Sequence, residues 1–192
     1  SLSMGANSAL IFGIIINVAI LLVFFRFLMQ LAAVSPYNPV VLSTIKATKI
    51  VDVFGRIFPT VGKGRVNSAA LALLVVLYLL KIFGVMYLNG AMPNSPIHLV
   101  ILTFVTMIQD LIRFCRYLIF ATIILSWVVM FTQSRGPYIE VIQDLAEPLL
   151  APFRRLLPNM GMIDLSPIIA FLALYIAEII MNQVAIVLLT GL

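Results

Sequence analysis

Residues Ser68–Leu88 read SAALALLVVLYLLKIFGVMYL, a run in which Lys81 is the only charged side chain. A helix rises 1.5 Å per residue, so this run is about 30 Å long, the thickness of a bilayer's hydrocarbon core. Three further stretches qualify as spans on the same grounds. The first runs from about Ala9 to Val34, with Asn17 inside it and Arg26 near its end. Another runs from about Ile97 to Phe131 and is interrupted by Gln109, Asp110, Arg113 and Arg116. The last runs from about Pro167 to Leu189 and contains Glu178 and Asn182. The first span is too long for a cleaved leader and lacks a basic start and a small-residue cleavage site, so it is expected to be a true span.

The whole composition agrees. Of 192 residues, 63% are hydrophobic and only 10% charged, where a soluble domain carries about 25% charged residues. Mean hydropathy is +1.18. So few charges could not cover the apolar surface in water, and lipid removes the need. The net charge of +5 argues weakly for nucleic acid, because the basic residues gather between apolar spans and form no aromatic-laced stripe. That distribution suits anionic headgroups at a membrane surface. We expect no nucleic-acid partner.

The stretch 97–131 is long for one simple crossing and admits two readings. It is either one tilted helix reaching beyond the bilayer, or an interfacial segment (Ile97–Ile108) followed by a span from about Leu111. The second is slightly preferred, because it places Asp110, Arg113 and Arg116, which share a helical face, near a headgroup boundary.

Two connections are basic and amphipathic. Asn38–Arg65 carries Lys46, Lys49, Arg56, Lys63 and Arg65 against Asp52 alone. Ser134–Asp164 carries Arg135, Arg154 and Arg155, with Glu140, Asp144, Glu147 and Asp164. The apolar set Ile139, Val141, Ile142 and Leu145 predicts an amphipathic segment there, broken by Pro148 and Pro152. The connection from Asn89 to Pro96 has no charge. By the positive-inside rule both basic connections face the cytoplasm and both chain ends the periplasm.

A repeat ties the two connections together. Arg56-Ile57-Phe58-Pro59-Thr60-Val61-Gly62 matches Arg155-Leu156-Leu157-Pro158-Asn159-Met160-Gly161, each preceding an apolar span. The sequence therefore predicts an all-α membrane protein of about four transmembrane helices in two parallel repeats. Each repeat is span, amphipathic interfacial helix, span, over residues 1–92 and 93–192. In each turn the proline ends the interfacial helix, and the glycine permits a left-handed backbone. Arg56 and Arg155 are expected at headgroup level, contacting lipid phosphate or capping a helix C-terminus.

The segment Asp144-Leu145-Ala146-Glu147-Pro148-Leu149-Leu150-Ala151-Pro152-Phe153-Arg154-Arg155-Leu156-Leu157-Pro158, continuing through Gly161 to Asp164-Leu165-Ser166-Pro167, resembles the signature of the bacterial YggT family. That family is related to the YlmG and CCB3 proteins of Gram-positive bacteria and plastids. Arg26-Phe27-Leu28-Met29-Gln30 and Tyr37-Asn38-Pro39 resemble its first copy, which is degenerate here: Gly55 stands where the second copy has Arg154. The resemblance implies a multi-pass protein of the bacterial inner membrane. It also implies an association with osmotic-stress tolerance, and in relatives with cell division, nucleoid distribution and assembly of a b-type cytochrome. It supplies no catalytic residue.

Ionisable groups inside a membrane cost at least about 2.5–3.5 kcal/mol each, so they demand partners. Asn17, Lys81, Arg113, Arg116, Glu178 and Asn182 are expected to form one polar cluster in the outer half of the bilayer. In it Glu178 pairs with Lys81 or Arg113, and the two asparagines add hydrogen bonds. Enzyme chemistry is not expected. There is no phosphate-binding glycine loop and no H-E-x-x-H. His98 and Cys115 are the only histidine and the only cysteine, and Asp144 with Glu147 reads as solvated charge. No cofactor or metal is expected. The expectation is a membrane scaffold or assembly factor whose partners are anionic lipids, unidentified membrane proteins and a second copy of the chain. The alternative is a small ion or solute channel or transporter.

Overall fold

The computed structural model describes residues 2–158 and 164–191, and side chains from Met4 onward. Nearly everything described is helix. Four helices are long and apolar enough to cross a membrane: α1 (Leu2–Leu31), α4 (Ser68–Leu88), α5 (Pro96–Thr132) and α7 (Ser166–Thr190). Between α1 and α4 lie α2 (Pro39–Ala47), α3 (Ile50–Phe54) and a small hairpin of β1 (Thr60–Val61) and β2 (Val66–Asn67). Between α5 and α7 lies α6 (Pro137–Leu156). The long helices pack in the order α1, α4, α5, α7, and α6 lies against α5 and α7 while reaching α2 and α1.

Local signals set the helix starts. Asn38 accepts from the Val40 amide at 2.9 Å, Asn67 from Ala70 at 3.1 Å, and Ser95 from His98 at 3.1 Å. Each satisfies an amide that the first turn leaves without an intrahelical partner. Small residues set the contacts between spans: Ala69, Ala70 and Ala170 are essentially fully buried. In lipid, where apolar contact alone favours no partner, such residues allow close backbone approach and dense packing.

The structure corrects two expectations. Residues 97–131 are not an interfacial segment followed by a separate span. They belong to one unbroken helix of 37 residues, about 55 Å long. No glycine or proline interrupts the stretch, and its charged residues find partners on neighbouring helices, so nothing requires a headgroup boundary at Asp110. Nor do Pro148 and Pro152 break the second amphipathic segment, because α6 runs through both. Each proline removes one backbone donor. The helix is held instead by the buried stripe Val141, Leu145, Ala146 and Leu150, with Glu140, Asp144, Glu147 and Arg154 exposed opposite.

The hairpin was not foreseen as strand. Its tip, Gly62-Lys63-Gly64, has φ of 62°, 61° and 79° in succession, which glycine tolerates and lysine adopts only where its surroundings hold it. The hairpin is tied to α1, since Gln30 Nε2 donates to the Gly64 carbonyl at 2.7 Å and Asn67 Nδ2 donates to Gln30 Oε1 at 3.0 Å.

If burial of the α6 stripe holds this helix against the spans, Leu150→Ala should lower stability by about 2–4 kcal/mol. Reversible unfolding in SDS-containing mixed micelles would measure it, and Leu156→Ala, at an exposed position, should change little.

Candidate functional site

Asp110 and Arg113 sit near the midpoint of α5, and Glu178 is the midpoint of α7. From these positions one chain of ion pairs crosses three spans. Lys81 of α4 lies 3.8 Å from Asp110 Oδ2, and Tyr78, one turn earlier, donates its hydroxyl to the same oxygen at 3.0 Å. Asp110 Oδ1 is 3.8 Å from Arg113, whose Nε donates to Glu178 Oε1 at 3.1 Å. Arg116 Nη2 approaches Glu178 Oε2 to 2.8 Å. That contact is an ion pair without hydrogen-bond geometry: Oε2 and Arg116 Nε both lack a hydrogen-bond partner among the described residues.

Aromatic faces surround the innermost cation. The Arg116 guanidinium lies 5.1 Å from the Tyr175 ring, 5.5 Å from Tyr117 and 5.7 Å from Phe171. Ring quadrupoles attract a cation most strongly where water is excluded. Lys81 similarly lies 5.6 Å from the Tyr78 ring.

The residues expected in one cluster are thus partly brought together. Lys81, Arg113, Arg116 and Glu178 join the network, but Lys81 binds Asp110 and not Glu178. Asn182 accepts from Gln109 at 3.0 Å, apart from the carboxylates. Asn17 is exposed and has no side-chain hydrogen bond among the described residues, though it borders a cavity of about 150 Å³ together with Tyr78 and Asp110. Sequence reasoning left Asp110 and Tyr78 out of the cluster. Asp110 was read as a boundary marker, and a tyrosine inside an apolar run gives no signal until its partner is located.

The signature turn forms a second, separate site between the end of α6 and the start of α7. Arg154 donates through Nε to Asp164 Oδ2 at 3.2 Å and is ion-paired with Glu147. Asp164 Oδ1 accepts from the Ser166 amide at 3.0 Å and its hydroxyl at 2.5 Å, at the start of α7. One arginine therefore staples the end of α6 to the beginning of α7. Arg155 reaches back to the Ala151 carbonyl at 3.4 Å, a capping contact in the last turn of α6. Asp144 is exposed, Pro148 and Pro152 lie within α6, and Pro158 follows its C-cap. Gly161 lies outside the described residues. In the first copy Arg56 is exposed, the Pro59 carbonyl accepts from the Ser68 hydroxyl, and Gly62 is left-handed.

Desolvation pulls the Arg154 guanidinium down and the Asp164 carboxyl up, but their shared contacts outweigh it. Arg154 is held above its usual value by Glu147 and Asp164, and Asp164 is held below the usual carboxylate range by Ser166 and Arg154. Among the described residues no group of three His, Cys, Asp or Glu side chains is placed to hold a metal ion.

The arrangement defines a class: a multi-pass helical membrane protein with an ion network across three of its apolar helices and an amphipathic helix stapled to the last of them. Residues 101–185 match the CCB3/YggT family. An uncharacterised protein of Pseudomonas aeruginosa is 32% identical over 94% of this chain and 92% of its own. An uncharacterised protein of Haemophilus influenzae is 33% identical over 92% and 93%. Uncharacterised protein YggT of Escherichia coli is 32% identical over 84% and 82%. No solved structure matches. The chain belongs to the CCB3/YggT family.

Two outcomes follow from this geometry. In double-mutant cycles, Lys81→Met with Asp110→Asn should show a coupling of about 1–3 kcal/mol, and Lys81→Met with Glu178→Gln a clearly smaller one. Equal couplings would contradict the pairing. The Asp164 staple should also depend on pH. A carboxyl whose folded pKa lies below its unfolded one stabilises fully above the unfolded value, about 3.9, and loses that contribution as pH falls through the folded value. Protection of the Ser166 amide from hydrogen exchange, corrected for intrinsic rates, should be flat above about pH 4 and fall below it.

Proposed function

We propose that this protein is a non-catalytic scaffold or assembly factor of the bacterial inner membrane. In this reading the basic connections are cytoplasmic, the termini periplasmic, and residues 1–92 and 93–192 two parallel repeats. The observation that carries the reading is the closure of the ion network within an open layer of helices. Lys81, Asp110, Arg113, Glu178 and Arg116 are used in holding α4, α5 and α7 to one another. Meanwhile the flanks of the spans stay bare: Ile176, Ile180 and Val187 on α7 are more than half exposed. Charges consumed in this way fix helix positions, and bare apolar flanks are available to lipid, to membrane proteins or to a second copy. A role in osmotic tolerance or envelope organisation would follow from such assembly.

One observation favours the alternative, a small ion or solute pathway. The cavity beside Asp110 gives a carboxylate, a phenol and Asn17 a common space within the spans. Two measurements separate the readings. Purified protein in liposomes, given an osmotic step, should pass ions and small solutes no faster than empty liposomes. A photocrosslinker at Ile180 should capture protein where one at buried Leu73 does not. Flux that Asp110→Asn or Glu178→Gln abolishes would establish the pathway and remove the scaffold reading.

A further inference from the structure

Five basic residues of the first connection have no carboxylate partner among the described residues. Lys46, Lys49, Arg56, Lys63 and Arg65 share their segment with one acid, Asp52, and Arg26 of α1 already holds it at 2.6 Å. Two of the five share one cavity, while Arg56 borders a different one of about 380 Å³ beside Asp52. Lys63 and Arg65, projected from the hairpin tip, border a cavity of about 450 Å³ between the end of α1, α2 and the hairpin. Its other wall is apolar, formed by Met29, Val34, Val41 and Ile45. Arg26 also borders it, but its guanidinium is committed to Asp52 and to the Thr48 carbonyl at 3.1 Å.

The cavity is therefore two-faced, with two free cations on one side and buried hydrocarbon on the other. It sits where the apolar run of α1 ends and α4 begins, the level at which a lipid changes from acyl chain to phosphate. The hairpin that closes it is held in place. Gln30 fastens the Gly64 carbonyl, and three consecutive left-handed residues shape the tip. Glycine takes this conformation freely, but Lys63 holds it only where its surroundings over-determine it, and such non-glycine residues gather at ligand clamps.

We propose that this cavity binds one anionic phospholipid, its phosphate between Lys63 and Arg65 and the first methylenes of its chains against Met29, Val34, Val41 and Ile45. A free phosphate could satisfy the cations but leaves the apolar wall unused. A neutral lipid fits the wall but brings no net charge to the cations.

The test is native mass spectrometry of the full chain in detergent, titrated with phosphatidylglycerol or with phosphatidylcholine. One phosphatidylglycerol per chain should be retained at activation energies that strip phosphatidylcholine. Lys63→Gln with Arg65→Gln should weaken retention about 30-fold, at roughly a factor of five for each cation facing a membrane anion. Val34→Trp, which fills the apolar side and leaves every charge in place, should weaken it too. Lys46→Gln, a cation outside the cavity, should change it less than twofold, and circular dichroism should confirm that each variant is folded. Equal retention of both lipids would overturn the proposal. So would unchanged binding in Val34→Trp, which would mean diffuse electrostatic attraction. Displacement of the lipid by excess inorganic phosphate would reassign the site to the free anion. None of these outcomes depends on whether the protein is a scaffold or a pathway.

Discussion

The constraint on which the rest depends is that charge in lipid must be neutralised where it stands. Glu178 at the middle of α7 is nearly buried and has Arg113 on one carboxylate oxygen and Arg116 on the other. Loss of Glu178 would leave Arg116, only 14% exposed, without a carboxylate, and breaking a buried pair in this way typically costs about 3–5 kcal/mol. That penalty fixes the register of α5 against α7. Asp110 does the same between α5 and α4, with Lys81 and Tyr78 as its partners. Apolar packing between spans has little such power, since lipid chains offer every leucine an equally apolar neighbour. Order among α4, α5 and α7 is thus an electrostatic matter, and it explains why charged residues persist in spans that hydropathy alone would make simpler.

The network holds three cations and two carboxylates. The spare charge is spread over two environments. Arg113 bridges both carboxylates and remains 43% exposed, while Arg116, only 14% exposed, is surrounded by aromatic faces. An arginine is better suited to several rings at once than a lysine. Its flat, weakly hydrated guanidinium stacks on rings while its edge meets a carboxylate.

How much of this was legible follows from what each signal measures. Span number and position came from hydropathy, which reads a property of each residue alone. Half of the α6 stripe, Val141 and Leu145, came from periodicity; Ala146 and Leu150 lay outside the set it picked out. The partner of Lys81 was not legible in this way, because which carboxylate a lysine meets depends on the relative heights of α4, α5 and α7. Counting from uncertain helix ends cannot settle a one-turn difference. The reading of Asp110 as a boundary marker failed for a related reason. It treated charge as evidence of water, when Tyr78 and Lys81 could supply the solvation instead. The prolines of α6 misled because propensity was weighed without the four buried side chains that override it. The hairpin escaped because two-residue strands are too short for alternation to register.

The two connections between spans use their arginines in opposite ways. In the first, an arginine from the span reaches out: Arg26 takes the carbonyl and hydroxyl of Thr48, at the C-terminus of α2, and also Asp52. A cation there satisfies carbonyls that the helix leaves open and meets the negative end of its dipole. The one acid of the connection is consumed in the process, so its other cations stay free. In the second the arginine belongs to α6 itself, and Arg154 spends its charge on Glu147 and Asp164. The second connection thus sets three arginines against four carboxylates and is tied to α7 through Asp164, while the first carries unspent positive charge over an open cavity. Unpaired positive charge, and with it any electrostatic preference for an anion, lies on the first connection.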